Sequence, residues 1–131
     1  MVEKQYVQPD TTSKPFGVWT PAVVVAPGRL MFVSGITSRD SDGEVFGVGD
    51  IRAQTRQVLE NLRATLQAAG GDLADVVSVT VHIADMNDFD AIHQVRREYF
   101  PVTPPASTMV EVSRMVDERS LIEITAIAVL P

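Results

Sequence analysis

The amino-acid sequence predicts an α+β fold in which a mixed β-sheet packs against two helices on one face. Residues 76–84 and 121–129 alternate their side chains with a period of two, which is typical of strands. Two other stretches, beginning near residues 51 and 87, repeat apolar side chains at helical spacing. Two helices on one face leave the other face of the sheet in need of a partner.

The first third of the chain predicts strands and turns. Residues 1–16 hold two prolines and a Thr-Thr-Ser cluster, and we expect this lead-in to be extended or loose. Residues 22–26 and 30–36 are rich in β-branched and aromatic side chains, and Pro27-Gly28 between them suits a type II turn. We therefore predict a hairpin, followed by a second turn at 42–43.

Two helices follow the strands. Asp50 is placed to cap the first, whose apolar stripe runs over residues 51–69 and ends at Gly70-Gly71, where a helix C-terminus favours glycine. Asn87 is placed to cap the second helix, which Pro101 stops. Its inward side chains are predicted to be Phe89, Ile92 and Tyr99. The predicted order of elements is β-β-(β)-α-β-α-β-β within one domain, 1–131.

The C-terminal strand carries one carboxylate among apolar side chains. Alternation places Glu123 on a face with Leu121, Thr125, Ile127 and Val129, opposite the face of Ile122, Ile124, Ala126 and Ala128. Two interpretations of Glu123 stay open: an ion pair across the strand with Arg114 or Arg119, or a cleft carboxylate that holds a water and takes its proton. We expect a partner subunit to cover this face, together with Met109.

Composition excludes several function classes. Eleven basic against seventeen acidic residues give a net charge of −6, which disfavours nucleic acid as a partner. The chain has no cysteine, so it has no disulfide and no thiolate nucleophile. Two separated histidines do not make a zinc site, and we expect neither a metal nor a cofactor. No apolar run predicts a membrane span or a secretion signal, so we expect a cytoplasmic protein.

Four segments together resemble the Rid family of reactive intermediate deaminases, also called the YjgF or L-PSP endoribonuclease family. They are Phe32-Val-Ser-Gly-Ile36, Met86-Asn-Asp-Phe89, Pro105-Ala-Ser-Thr-Met-Val-Glu-Val112 and Ile122-Glu-Ile-Thr-Ala-Ile-Ala128. The likeness runs from about residue 17 to the end, and residues 50–62 are most similar to 2-aminomuconate deaminase-like members. The resemblance implies a chorismate-mutase-like subunit, a trimer whose three sheets form a barrel, and active-site clefts between subunits.

The resemblance also implies site residues. The glutamate matching Glu123 is thought to position the water that attacks a C=N carbon. Ser34 and Gly35 match a pair that lines the substrate pocket, with the glycine amide available to a carboxylate oxygen. Trp19 stands where the family usually has a tyrosine, and His93 stands where many members have asparagine.

Ser107 departs from the family pattern. Rid enzymes that hydrolyse 2-iminoacids carry at this position an arginine that binds the substrate carboxylate, and a serine hydroxyl replaces neither its charge nor its geometry. We therefore expect weak activity on simple iminoacids, and expect Ser107→Arg to raise it. Met109 makes the pocket floor more apolar. Arg39 is the candidate replacement cation, or else a solvated loop residue.

The sequence thus predicts a homotrimeric hydrolase that removes ammonia from an enamine or imine in a small catabolic intermediate. The alternative is a non-catalytic member of the family that binds a ligand or acts as a chaperone-like interaction protein. An endoribonuclease activity, which the older family name suggests, fits poorly with the acidic charge.

Overall fold

The computed structural model describes residues 2–131, and within them six strands and two α-helices follow one another. They are β1 (Lys4–Val7), β2 (Ala22–Val25), β3 (Arg29–Ile36), α1 (Ile51–Ala68), β4 (Val76–Ile83), α2 (Phe89–Tyr99), β5 (Ala106–Glu111) and β6 (Ile122–Leu130). From residue 22 onward the strands and helices follow the predicted order, but the optional strand expected between β3 and α1 is reduced to an isolated bridge between Arg39 and Val45, and the additional strand is β1. The lead-in 1–16, expected to be extended or loose, therefore contains a paired strand.

The main sheet has four strands in the order β3-β6-β4-β5. The C-terminal strand β6 lies inside the sheet and pairs antiparallel with both neighbours, whereas β4 and β5 are parallel. The predicted mixed sheet is confirmed. Strands β3 and β5 form its two edges.

The predicted hairpin over 22–36 is wrong. Strand β2 pairs with β1 in a separate two-stranded sheet, and β3 pairs with β6, with Phe32 opposite Ile127. A Cβ added at Gly28 would lie 2.7 Å from the Leu130 carbonyl oxygen, so the chain passes here directly over the end of β6. Pro27-Gly28 redirects the chain between two sheets. Local turn chemistry does not reveal this, because both strands pair with distant segments.

Both helices pack on one face of the main sheet, as predicted. The Asp50 side chain accepts a hydrogen bond from the Ala53 amide at 3.0 Å, and Gly70 takes a left-handed φ of 85° just beyond the end of α1. The apolar stripe of α1 is fully buried against the sheet and α2. Its members are Val58, Leu59, Leu62 and Leu66, and they meet Ile122, Ile124, Ala126 and Ala128 of β6.

The start of α2 differs from the prediction. A 3₁₀ turn, Met86–Asp88, precedes the helix, and the Asp85 side chain accepts from the Asn87 amide at 2.9 Å. Because this turn begins at Asp85, the helix proper starts at Phe89 without a side-chain cap, and Asn87 is not its capping residue.

The other face of the sheet is open and apolar near β3. Leu30 and Phe32 are 63% and 72% exposed. Val129 and Met109 were expected to need a partner to cover them on this face. Val129 does lie on this side, paired with Leu30, but it is already buried within the chain. The face expected for Met109 is wrong: it points to the helix side, since it pairs in register with buried Val81. Among residues 2–131 no helix is long and apolar enough to cross a membrane.

Candidate functional site

Four of the predicted site residues line one cavity between β5, α2 and the segment before β2. Trp19, His93, Ser107 and Met109 surround a space of about 210 Å³. Ser107 and Met109 are two apart on a strand and share a face, which brings both side chains to the helix side of the sheet. Phe16, Phe89 and Arg96 complete the wall.

Aromatic rings form most of that wall. The ring of Phe16 meets the Trp19 ring edge-on at 4.6 Å, and the Phe89 ring stacks on His93 at 3.8 Å. A Cβ at Gly17 would lie 2.4 Å from Trp19 Cζ3 and 2.6 Å from His93 Nε2, so only glycine lets the backbone pass between the two rings. The cavity therefore suits a flat or apolar body.

His93 is a buried, neutral member of this wall. Its Nδ1 lies 2.9 Å from the Phe89 carbonyl oxygen, which can only accept, so Nδ1 carries the proton and Nε2 is an unprotonated acceptor. Nε2 is buried and has no hydrogen-bond partner within residues 2–131. Burial lowers the pKa of His93, and the positive charge of Arg96 lowers it further, against the opposing hydrogen bond to Phe89. The imidazole is thus uncharged at neutral pH.

Arg96 is the functional candidate that sequence reasoning missed. Its side chain is 1% exposed, and its Nη2 donates to the Val18 carbonyl oxygen and to Ser107 Oγ, each at 3.1 Å. Burial lowers the pKa of Arg96 to about 10, so the group stays charged at neutral pH. A signal was available: Arg96 stands four residues after Ile92, on the inward side of α2.

The other predicted residues form a second group on the open face. Gly35 passes so close to Glu123 that an added Cβ would lie 2.5 Å from its Oε1. Ser34, beside Gly35, is exposed at the register shift between Val33 and Ile36. In the β4–β6 register Glu123 stands opposite His82, whose Nδ1 is buried and has no partner within residues 2–131.

Glu123 makes no ion pair within residues 2–131, which disfavours the structural interpretation. Arg119, one of its two candidate partners, binds Asp117 instead, with Nη2 2.8 Å from Oδ2. Arg39 also has partners of its own: it donates a hydrogen bond to the Gly43 carbonyl oxygen at 2.7 Å and forms an ion pair with Asp117 at 3.5 Å. The two arginines hold the pKa of Asp117 far below its usual range, Arg119 most strongly through hydrogen bonds. Arg39 does not line the cavity.

Within one chain the two groups cannot meet. Ser107 and Met109 point to the helix side, whereas Glu123 stands two strands away on the open face, about 10 Å across the sheet. A single site that uses both groups therefore requires two copies of the chain.

The fold and these residues match a known family. A family model described as "Endoribonuclease L-PSP" matches residues 11–130, nearly the whole chain. The chain belongs to this family, which is the Rid family that the sequence motifs predict. In the part of the chain that the structure describes, no group of three or more His, Asp or Glu side chains could hold a metal ion.

Its relatives include a protein named as a deaminase. A RutC family protein of Pyrococcus horikoshii is 43% identical over 125 residues, which cover 95% of this chain and 97% of that protein. The 3-aminoacrylate deaminase RutC of Acinetobacter baylyi is 39% identical over 125 residues, with the same coverage of both chains. A crystal structure from Yersinia pestis, of a conserved Rid family protein of unknown function, has a TM-score of 0.89 and 32% identity and covers 97% of this chain and 98% of its own.

These comparisons confirm the predicted family and the α+β fold. At a coarse level they also support the deamination of reactive intermediates, because a relative that aligns over almost the whole of this chain is named as a deaminase.

Proposed function

We propose that this Rid protein is a hydrolytic deaminase of an enamine or imine in a small metabolic intermediate, with its active site between subunits of a homotrimer. The reaction adds one water across the C=N bond and yields a carbonyl compound and ammonia. An enamine that takes a proton on carbon becomes the same protonated imine, which water then attacks. The observation that carries the proposal is the half-buried carboxylate of Glu123, which has no partner within residues 2–131 and is packed against Gly35.

Glu123 acts on the water. Its carboxylate accepts a proton as the water oxygen bonds to the carbon of the C=N group. The substrate nitrogen is protonated at the start, so the attack leaves a hydroxyl and a neutral amine on one carbon. Glu123 returns its proton to that amine. The C–N bond then breaks as the hydroxyl oxygen forms the C=O bond, and the hydroxyl proton goes to the departing ammonia, which leaves as ammonium. No arginine or lysine pairs with the Glu123 carboxylate within residues 2–131, which leaves its oxygens free to accept from a water and supports this role.

The cavity group supplies the rest of the site from a neighbouring copy. The open face exposes Leu30 and Phe32 of the edge strand β3, which also carries Gly35 and pairs with the strand of Glu123. Burying such apolar surface stabilises association by about 25 cal/mol per Å². Assembly that places the β5 edge of one subunit on this face of the next would bring Trp19, His93 and Ser107 toward the partner's catalytic carboxylate.

Turnover separates this proposal from a non-catalytic binding protein. The assay generates imines in situ, from phenylalanine with an amino-acid oxidase and from phenethylamine with an amine oxidase, and follows the competition between hydrolysis and semicarbazide trapping. We expect purified protein to accelerate hydrolysis of at least one imine. Glu123→Gln should lower that rate by ~10²-fold or more, since the amide cannot accept the proton.

The control is Glu118→Gln, which removes an exposed carboxylate without touching either group. Light scattering should give about three times 14.3 kDa for all three proteins. No acceleration on either imine by an intact trimer would support the binding protein instead. A monomer would remove the interface site altogether.

A further inference from the structure

The buried guanidinium of Arg96 lies on the wall of the cavity without a counter-charge. No carboxylate comes within 4.0 Å of it in residues 2–131, and its only hydrogen-bond acceptors there are the Val18 carbonyl and Ser107 Oγ. Its Nε is buried and has no partner in the same part of the chain. An unpaired buried charge costs several kcal/mol of desolvation and contributes little to folding. Such a charge at a cavity wall is suited to an anionic ligand.

We propose that Arg96, together with Ser107, binds the carboxylate of the substrate. This inference rests on the proposed function and names its substrate class as small carboxylates with a planar or apolar body. Ser107 Oγ accepts from Arg96 and so keeps its own hydrogen for donation to a ligand. The site therefore offers the free N–H groups of Arg96 and the hydroxyl of Ser107 to two carboxylate oxygens, which is the pairing that guanidinium groups favour.

The proposal explains the departure at Ser107. The family resemblance places a carboxylate-binding arginine at that position of β5, and the sequence alone suggested that its loss leaves the site without a cation. That premise is wrong for this chain, because Arg96 reaches the same point from α2 with its Nη2 3.1 Å from Ser107 Oγ. A small residue at 107 is what makes room for it. The positive charge thus comes from Arg96 on α2 instead of from an arginine on β5.

The aromatic wall allows a direct binding test. Trp19 is the chain's single tryptophan and lines the cavity, so its fluorescence reports occupancy. The probe is benzoate, and its neutral isostere benzamide is the matched ligand. We expect benzoate to quench Trp19 and to bind at least ~10-fold more tightly than benzamide, since charge-assisted hydrogen bonds are the difference.

Three variants assign the charge. Arg96→Met should lose ~10- to 100-fold in benzoate affinity and leave benzamide binding unchanged. Its fold should persist, because replacing a buried unpaired charge with an apolar side chain of similar length is neutral or stabilising. Arg96→Lys should keep part of the affinity. The control Arg97→Gln removes the adjacent exposed arginine and should change nothing.

Benzoate binding by Arg96→Met as tight as by the unmodified protein would overturn the proposal, and so would equal affinity for benzamide or no benzoate binding at all. If Arg96→Met does not fold, the comparison of benzoate with benzamide and the Arg96→Lys variant still decide. A protein that binds benzoate through Arg96 but turns over no imine would refute the deaminase function alone, whereas turnover of the phenylalanine imine unaffected by Arg96→Met would refute this inference alone.

Discussion

Gly35→Ala tests whether the position of the Glu123 carboxylate governs turnover. The added Cβ would lie 2.5 Å from Oε1 and 2.6 Å from Cδ, whereas ordinary contact begins at 3.4 Å. The carboxylate must therefore retreat by about 0.9 Å. A displacement of that size in a reacting group costs ~10²-fold in rate, equivalent to about 2.7 kcal/mol of activation free energy.

Stability should hardly change in the same variant. The backbone of Gly35 lies outside the left-handed region, so alanine fits it, and the loss of chain entropy in the unfolded state stabilises the protein by about 0.4 to 1 kcal/mol. Moving the free end of the Glu123 side chain offsets part of that gain. Thermal or urea unfolding should thus agree with the unmodified protein to within about 1 kcal/mol while turnover falls.

A double variant shows whether the effect passes through Glu123. If it does, Gly35→Ala should lower the rate of the Glu123→Gln protein little further, because the carboxylate that it displaces is already gone. Full turnover by a well-folded Gly35→Ala trimer would show that the carboxylate position is not critical. Equal rate losses in both backgrounds would show that Gly35 acts on something other than Glu123.

Two further predictions concern the cavity. The sequence alone suggested that Ser107→Arg would raise iminoacid activity. It should instead destabilise the protein and give no gain, since two guanidinium groups about 4 Å apart repel by up to ~4 kcal/mol. Combining it with Arg96→Met should restore the free energy of unfolding, and a stable, more active single variant would contradict the placement of Arg96. His93→Asn should reduce the loss of thermal stability at acid pH. Burial lowers the pKa of His93 in the folded protein, so below the ordinary value of 6.5 the unfolded chain binds more protons and stability falls. A variant as acid-sensitive as the unmodified protein would show that another group is responsible.

The sequence predicts elements better than it predicts their partners. The Asp50 cap, the leucine stripe of α1 and the alternation of β6 are local signals, and each corresponds to an element that the structure contains. The pairing of β3 with β6 depends on contacts between residues about a hundred positions apart, which no turn signal encodes. For the same reason the face occupied by Met109 was misjudged: it depends on the register of β5 against β4.

The site shows the same division. Motif resemblance identified Trp19, His93, Ser107 and Met109, and the structure brings all four to one cavity. Motif resemblance could not identify Arg96, because a motif records which residue stands at a position and not which side chain reaches a given point in the folded protein. Helical spacing puts Arg96 one turn beyond Ile92, which indicates burial but not what the guanidinium reaches.

The absence of the strand arginine is therefore weak evidence that carboxylate binding is absent. The chemistry of a carboxylate site requires a positive charge at one place in the cavity, and that place can be reached from β5 or from α2. A serine on the strand and an arginine on the helix satisfy the requirement as one unit, since the small side chain leaves room for the guanidinium and accepts one of its hydrogen bonds. Other family members that lack the strand arginine can be sorted by the same test: an arginine at the helix position, four residues after a buried apolar residue, should accompany a small side chain at the position of Ser107.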